Sequence, residues 1–542
     1  MRRPAAKPSK ALARANADRK AGRLDAAETA FRQLTRSRDE AAEAWLGLGR
    51  IALARGLPAE AIPAFEHAIA IDPGHMLVLA NLGVACRASG RFADAARWLE
   101  AVVARGGREA RLFRELGRAY LGLGQTENAA AAFRAGIELD PNDAELTAFL
   151  ANALRDQGDA DAALALATRA AALDPASDLA AYAHASALIA LGRHTEGIGA
   201  AEQLLARSPD YVDMRFNLSW AQLALGRWAE GWANYEYRLK VYSHLVAPPP
   251  GLPRWAGEPP DGRTLVVIAE QGLGDALQFG RFVAVLAARG HRVHLRVEPR
   301  MVALMRDFAG VAAVEAYGVD LPADASRWVP LLSLPGILGI DEAALGADVP
   351  YISADPARIA RVRDWLGDGL LDRLVIGVQW RGNPAGSIDR GRSVPVEAML
   401  RLAALPHVEV VALQRPPGLD ELTALGAETG IRVAPHGLDR DGAFLDTAAY
   451  MTAFDLVVTC DTSIAHLAGA VGCPTFVLLK STPDWRWMVG RDDSPWYPTM
   501  RLFRQDRAGD WEAPVARLIA AVEAMTETMR AGEAGLASGN AA

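Results

Sequence analysis

Asp455-Leu456-Val457-Val458-Thr459-Cys460-Asp461-Thr462-Ser463-Ile464-Ala465-His466-Leu467-Ala468-Gly469-Ala470 is the stretch that decides how this chain folds. Its opening residues are β-branched and apolar between polar ends, and beyond Pro474 a second such run follows at Thr475–Leu479. The order is strand, turn, helix, strand. Thr462 or Ser463 can N-cap the helix, whose first turn then presents free N–H groups and the positive dipole end at the carboxyl edge of a parallel strand, a place that holds phosphate. Asp461, two hydroxyls and His466 one turn further on let backbone, hydroxyl and imidazole meet a diphosphate together. The same residues also make an ordinary cap with a histidine facing the helix behind it.

Working outward toward the N-terminus, a related pattern recurs twice. Leu374-Val375-Ile376-Gly377-Val378-Gln379-Trp380 reads as a buried strand ending in the polar turn Arg381-Gly382-Asn383-Pro384, with further strands at Val408–Leu413 and Leu456–Thr459. Thr264–Ala269 is another strand, followed by Glu270-Gln271-Gly272-Leu273-Gly274-Asp275 opening a helix, with strands at Val293–Val297 and Trp328–Leu332. The glycine turn lacks the third small residue of a dinucleotide fingerprint, having Leu277 there, and it lacks the Gly-Lys-Ser/Thr of a P-loop. Asp275 stands at the top of its strand, as a helix cap or as a catalytic acid or base. Two α/β units result, with polar turns facing each other across a cleft.

The first half is different. Trp45, Leu48, Gly49, Ala61, Phe65, Ala68 and Pro73 recur at a spacing of 34 as Leu79, Leu82, Gly83, Ala95, Leu99 and Val102, then as Phe113, Leu116, Gly117, Ala129, Phe133, Gly136 and Pro141. Later units keep the frame through Pro175 and Pro209. This resembles the tetratricopeptide family over residues 10–240, about seven helical pairs stacked as a solenoid with a groove for a polypeptide. The last unit concentrates Trp220, Trp228, Trp232, Tyr235 and Tyr237, the apolar area of a cap that docks on another domain. Residues 241–262, rich in proline, read as a short fixed joint.

Composition narrows the classes. With 51% hydrophobic and 23% charged residues among 542, and a formal net charge of -7, the chain is ordinary globular protein and nucleic acid is not an expected partner. Cys86, Cys460 and Cys473 have no metal-ligand spacing and fit a reducing cytoplasm. The N-terminus has no signal-peptide pattern, and the longest apolar tract is broken by Asp461, His466 and Pro474, so a cytoplasmic chain with no membrane span is expected. The Asp439-Arg440-Asp441 loop is a poor metal site. The tail from 526 reads as disordered.

Gly274-Asp275 and Asp461-Thr462-Ser463 with His466-Leu467 together resemble glycosyltransferase family 9, the heptosyltransferase-related enzymes, over roughly residues 250 to 525. The resemblance implies a GT-B fold: a Rossmann-like acceptor-side unit at 263–355 and a nucleotide-sugar unit at 356–525. It implies Asp275 as base and Asp461, Thr462, Ser463 and His466 as donor ligands, with Ser463 where the family usually has glycine. Arg381 and Asn383 are candidate donor contacts. Gln271, Gly272, Gly274, Trp485 and Arg486 are further candidates, the Pro483-Asp484-Trp485-Arg486-Trp487 segment either stacking on a base or sugar or packing as an edge. Arg390 and Arg392 read as a solvated loop or as anion ligands. No metal and no cofactor beyond the donor are implied.

Joined to the repeats, the chain resembles bacterial flagellin glycosyltransferases. That implies a protein O-glycosyltransferase holding flagellin on its repeats, in its sharpest form with a CMP-linked nonulosonic acid of the pseudaminic type. Two alternatives stand beside it: a heptosyltransferase-like enzyme with a glycan or lipid acceptor, and an inactive repeat-protein adaptor.

Overall fold

The computed structural model describes residues 9–244, 246–346, 348–370, 372–382, 390–426, 429–435 and 438–539. The chain forms two compact units, Met1–Leu188 and Ile189–Ala542. The sequence placed the seam in the proline-rich stretch at 241–262, whereas the units part inside the repeats.

The N-terminal unit is a run of antiparallel helix pairs: α1 (Lys10–Lys20) and α2 (Leu24–Leu34), α3 (Ala41–Ala54) and α4 (Pro58–Ile71), α5 (Met76–Ala88) and α6 (Phe92–Ala104), α7 (Ala110–Gly122) and α8 (Thr126–Leu139), α9 (Ala144–Asp156) and α10 (Ala160–Leu173), then α11 (Asp178–Ala190). The repeating glycines are where helices cross. A Cβ on Gly49 would lie 2.4 Å from the Phe65 ring, on Gly83 2.6 Å from Leu99, and on Gly117 2.4 Å from Phe133. A second glycine column, unremarked in the sequence reading, turns the chain between the helices of each pair: Gly22, Gly56, Gly90, Gly124 and Gly158 all have φ between +70° and +90°.

The C-terminal unit begins with α12 (His194–Arg207), α13 (Val212–Ala224), α14 (Trp228–Tyr235) and α15 (Arg238–Val241). There follow β1 (Thr264–Ile268), α16 (Leu273–Gly280), α17 (Phe282–Ala288), β2 (Arg292–Val297), α18 (Val302–Met305), β3 (Val311–Ala316), β4 (Ala325–Pro330) and α19 (Leu334–Leu338). The second half runs α20 (Pro356–Leu366), β5 (Leu374–Gln379), α21 (Val396–Ala403), β6 (Val408–Ala412), α22 (Gly418–Ala424), β7 (Ile431–Val433), α23 (Leu445–Ala453), β8 (Leu456–Cys460), α24 (Ser463–Ala470), β9 (Thr475–Leu479), β10 (Met500–Arg504) and α25 (Glu512–Gly539). The strand expected at Trp328–Leu332 stops at Pro330, which has no N–H for the ladder, and Leu331–Ser333 forms a 3-10 turn. α25 continues past 526, where composition suggested disorder.

Both sheets are parallel. The first has order β3-β2-β1-β4 and the second β10-β9-β8-β5-β6-β7. In each, strand order reverses beside the first strand, between β1 and β4 and between β5 and β8, and an open parallel sheet places its ligand crevice at the carboxyl end of that reversal. β5, β8 and β9 are buried along their whole length, which explains their uninterrupted apolar runs.

Trp228, Trp232 and Tyr235 belong to the same core as Leu265, Val267, Phe279 and Trp485. Aromatic area on α14 buried against the first sheet is the reason the last helical pairs go with the α/β part. Pro253 and Trp255 exchange backbone hydrogen bonds with Trp328, tying the proline-rich stretch to the sheet edge. Among the described residues, no helix is long and apolar enough to cross a membrane.

Candidate functional site

β1 delivers the chain to Glu270 and Gln271. Gln271 has φ 67°, a left-handed conformation costly for a residue with a Cβ. Glu270 is held from two sides, by Arg238 Nη2 at 2.6 Å and by the Leu332 N–H at 3.2 Å. Burial pushes its carboxyl up from the ordinary range, with Arg238 working against the shift. Gly272 caps α16, and Asp275 in the first turn accepts the Gly272 N–H at 2.8 Å.

At the second reversal point, Thr462 is the N-cap of α24, accepting the Ile464 N–H. Its hydroxyl donates to Gln379 Oε1 at 2.8 Å, and the Thr459 hydroxyl donates to the same oxygen at 2.9 Å. Gln379, at the end of β5, thus ties the turn after β8 to its neighbouring strand, a link that the sequence reading missed. His466 is 7% exposed, stacked on Trp487 at 5.5 Å and 12°, with Nδ1 3.1 Å from the Tyr497 hydroxyl. Burial holds its pKa well below the ordinary value, helped by the charges of Arg486, Arg281 and Arg392, so the imidazole is neutral.

The two N-termini meet. A Cβ on Gly274 would lie 3.1 Å from His466 Cδ2 and 3.3 Å from Ser463 Cα, so glycine is what lets α16 approach α24. Gly274, Asp275, Thr462, Ser463 and His466 therefore gather in one crevice between the sheets.

Arg486 closes it from the third side. Trp485–Trp487 is a 3-10 turn, not the edge strand that alternating tryptophans suggested. Trp485 is packed among Trp232 at 5.5 Å, Tyr235 at 5.8 Å and Trp496 at 6.0 Å, and presents no face for stacking a ligand. Arg486 donates to Gln278 Oε1 at 2.7 Å, Asp484 Oδ1 at 2.9 Å and Asp275 Oδ1 at 2.5 Å. Asp275 keeps 19% of its side-chain accessibility. Burial raises its pKa, with Arg486 opposing and Asp484 adding to the rise. Asp461 is raised by burial and by Asp484; the Trp487 indole faces it without reaching hydrogen-bond geometry.

Arg381 meets this cluster through its backbone, its carbonyl accepting from Gln379 Nε2 at 2.6 Å and its N–H held by Gln414, while its guanidinium turns to Glu421 on α22. Asn383 lies outside the described residues. The charge reaching Asp461 and His466 comes instead from Arg392, Arg486 and the buried Arg281, whose guanidinium bonds the Trp496 carbonyl at 2.7 Å and the Tyr351 hydroxyl at 3.1 Å. Asp439 and Asp441 point to different partners, Asp439 to Thr447 and Arg415 and Asp441 to Arg358. Among the described residues, no group of three His, Cys, Asp or Glu side chains is placed to hold a metal.

The fold and this crevice define a tetratricopeptide-repeat array continuous with an α/β unit of two parallel sheets. A tetratricopeptide repeat model matches residues 12–75, 114–178 and 182–236, and a second one matches 52–116. Protein FlbA of Caulobacter vibrioides is 28% identical over 345 residues, 58% of this chain and 56% of that protein, so the chain spans little more than half the length of this relative. The matched share exceeds what the repeats occupy, and the likeness therefore runs past them. Solved structures with similar helical pairs include the Cut9–Hcn1 hetero-tetramer of APC/C (21% identity, TM-score 0.34, 39% of this chain and 42% of that one). Others are YrrB, described as a TPR protein with an unusual peptide-binding site (18%, 0.30, 34% and 95%), and a thermophilic TPR protein of Thermus thermophilus (24%, 0.29, 34% and 99%).

Proposed function

We propose that the chain is a glycosyltransferase of GT-B type that moves a sugar from a nucleotide donor to a Ser or Thr of a protein held on its repeats. The observation that carries the reading is the meeting of two helix N-termini at the reversal points of two parallel sheets, with Asp275 on one side and Thr462, Ser463 and His466 on the other. Free N–H groups there suit a diphosphate, and Arg392 supplies positive charge. Lys480, two residues past the Cys460↔Leu478 rung, follows β9 at the same edge.

In this reading the Tyr497 hydroxyl donates to His466 Nδ1, and the imidazole offers its Nε2 proton to a phosphate oxygen as a neutral donor. Asp275, with its basicity raised by burial, takes the proton of the acceptor hydroxyl as the sugar transfers. Arg486 must then yield one carboxylate oxygen to the acceptor. The resemblance to flagellin glycosyltransferases makes flagellin the first acceptor to try, with CMP-linked nonulosonic acids first among the donors.

A second reading, an adaptor without turnover, has one observation in its favour: both oxygens of Asp275 are already bonded, to Gly272 and to Arg486. Thermal shift with CMP, ADP, UDP and GDP and their sugar conjugates separates the two. One nucleotide raising the melting temperature, with the shift lost in His466→Ala and transfer lost in Asp275→Asn while binding persists, supports the enzyme. No shift with any of them defeats it.

A further inference from the structure

In the N-terminal unit the first helices of successive pairs touch one another, α1 with α3, α3 with α5 and α5 with α7, so these helices line the inside of the curve. The spacing of 34 sets their residues in columns: Asn16, Arg50, Val84 and Arg118; Arg19, Leu53 and Arg87; Glu43, Leu77 and Arg111. Most charges on this face are matched. Arg87 pairs with Glu115 at 2.6 Å, Arg114 with Glu145 at 2.6 Å, and Glu43 with His75 at 3.1 Å. Arg19, Arg50 and Arg111 are the exceptions, with no hydrogen bond or ion pair among the described residues, and Nε of Arg19 is buried without a partner. Arg50 is in electrostatic reach of both others, and burial together with their repulsion lowers its pKa. Unmatched like charges drawn together in this way destabilise the folded chain, and an anion relieves them. Beside them Leu77 leaves 44% of its surface exposed in the column of Arg111.

We propose that this inner face binds an extended acidic segment of a partner polypeptide, with carboxylates on Arg19, Arg50 and Arg111 and an apolar side chain over Leu77. Guanidinium matches carboxylate in bidentate geometry, and the exposed leucine asks for an apolar neighbour in the same segment. A uniform polyanion such as nucleic acid fits less well, because Glu43, Glu115 and Glu145 share the face and would repel it. The inference concerns the array alone and stands without the transferase reading.

The test is fluorescence anisotropy on the full chain with a labelled peptide of roughly 12 residues, rich in glutamate and leucine, and its twin with glutamine for every glutamate, at about 50 and 300 mM salt. The acidic peptide should bind at least about tenfold more tightly than its twin, weaken with salt, and weaken about tenfold in Arg50→Gln but less in Arg50→Lys. Arg97→Gln on α6, where Arg97 stacks on Trp98 instead, should leave binding unchanged. Without peptide, Arg50→Gln should melt no lower than the unsubstituted chain, since burial and the repulsion of Arg19 and Arg111 outweigh the pull of Glu43 on this charge. Equal binding of the two peptides, no binding of either, indifference to Arg50→Gln, a lowered melting temperature in that variant, or tighter binding of an oligonucleotide of equal charge would each overturn the proposal.

Discussion

Replacing Arg486 with methionine keeps an unbranched apolar stem, shorter than the original, and removes the charge and the donors. The guanidinium is 9% exposed and holds two carboxylates, Asp275 and Asp484, each 19% exposed, together with Gln278. Removing one member of a buried ion pair typically costs about 3–5 kcal/mol, because the other is left uncompensated. Here the loss should fall near the lower end, about 3 kcal/mol, since both acids keep some access to water. Asp275 already has a raised pKa, and without Arg486 it rises further. Protonation then relieves the unpaired charge, so the destabilisation should shrink as the pH is lowered toward the raised pKa of Asp275. Urea unfolding followed by tryptophan fluorescence reads the loss, with Trp485, Trp487 and Trp496 buried around the substituted position among the 13 tryptophans that contribute. The double variant Arg486→Met/Asp275→Asn should recover part of the loss, with a coupling of about 1–3 kcal/mol. A loss below about 1 kcal/mol that ignores pH would show that Arg486 is not what balances these acids.

His466→Gln should flatten the acid limb of the stability curve. The folded pKa lies well below 6.5, so the unfolded chain takes up the proton first, and stability falls as pH drops through about 6.5, by up to about 1.4 kcal/mol per unit; the difference between the two chains in urea midpoints isolates this slope. Thr462→Val removes the cap of α24 and the bond to Gln379, costing about 1–2 kcal/mol by the same measurement. Gly49→Ala places a methyl 2.4 Å from the Phe65 ring and should destabilise the N-terminal unit by about 1–3 kcal/mol, read by far-ultraviolet circular dichroism in a urea series.

The parts visible in the sequence are those governed by local or strictly periodic rules. The spacing of 34 exposes the helical pairs, and Leu456–Cys460 followed by Thr462 exposes a strand and a capped helix, because propensity and capping act over a few residues. Gln379 was invisible as a link, since its partners Thr459 and Thr462 are some eighty residues away and nothing in a strand of apolar residues marks its last amide as a crosspiece. Arg381 shows the converse: a polar turn after a strand offers an arginine to a crevice, and only the fold brings a carboxylate on α22 to compete for its guanidinium. The tryptophans at 485 and 487 carried no hint of which surfaces would cover them. Strands β3, β7 and β10 are short or half-exposed and lack the apolar run that betrays β5, β8 and β9.

Trp232, Tyr235 and Arg238 have a consequence for ancestry. A chain assembled by fusing a repeat module to an α/β module would be expected to keep its seam at the proline-rich stretch, where either piece could be cut away. Instead the final helical pairs supply aromatic bulk beneath Trp485 and the counter-charge of Glu270, so they have become part of the other module. The helices downstream of Leu188 thus fold with the sheets, while those upstream form a compact unit of their own. A truncation that starts with α12 should remain soluble, whereas one that starts after Val241 should aggregate, and finding the second as soluble as the first would erase this history.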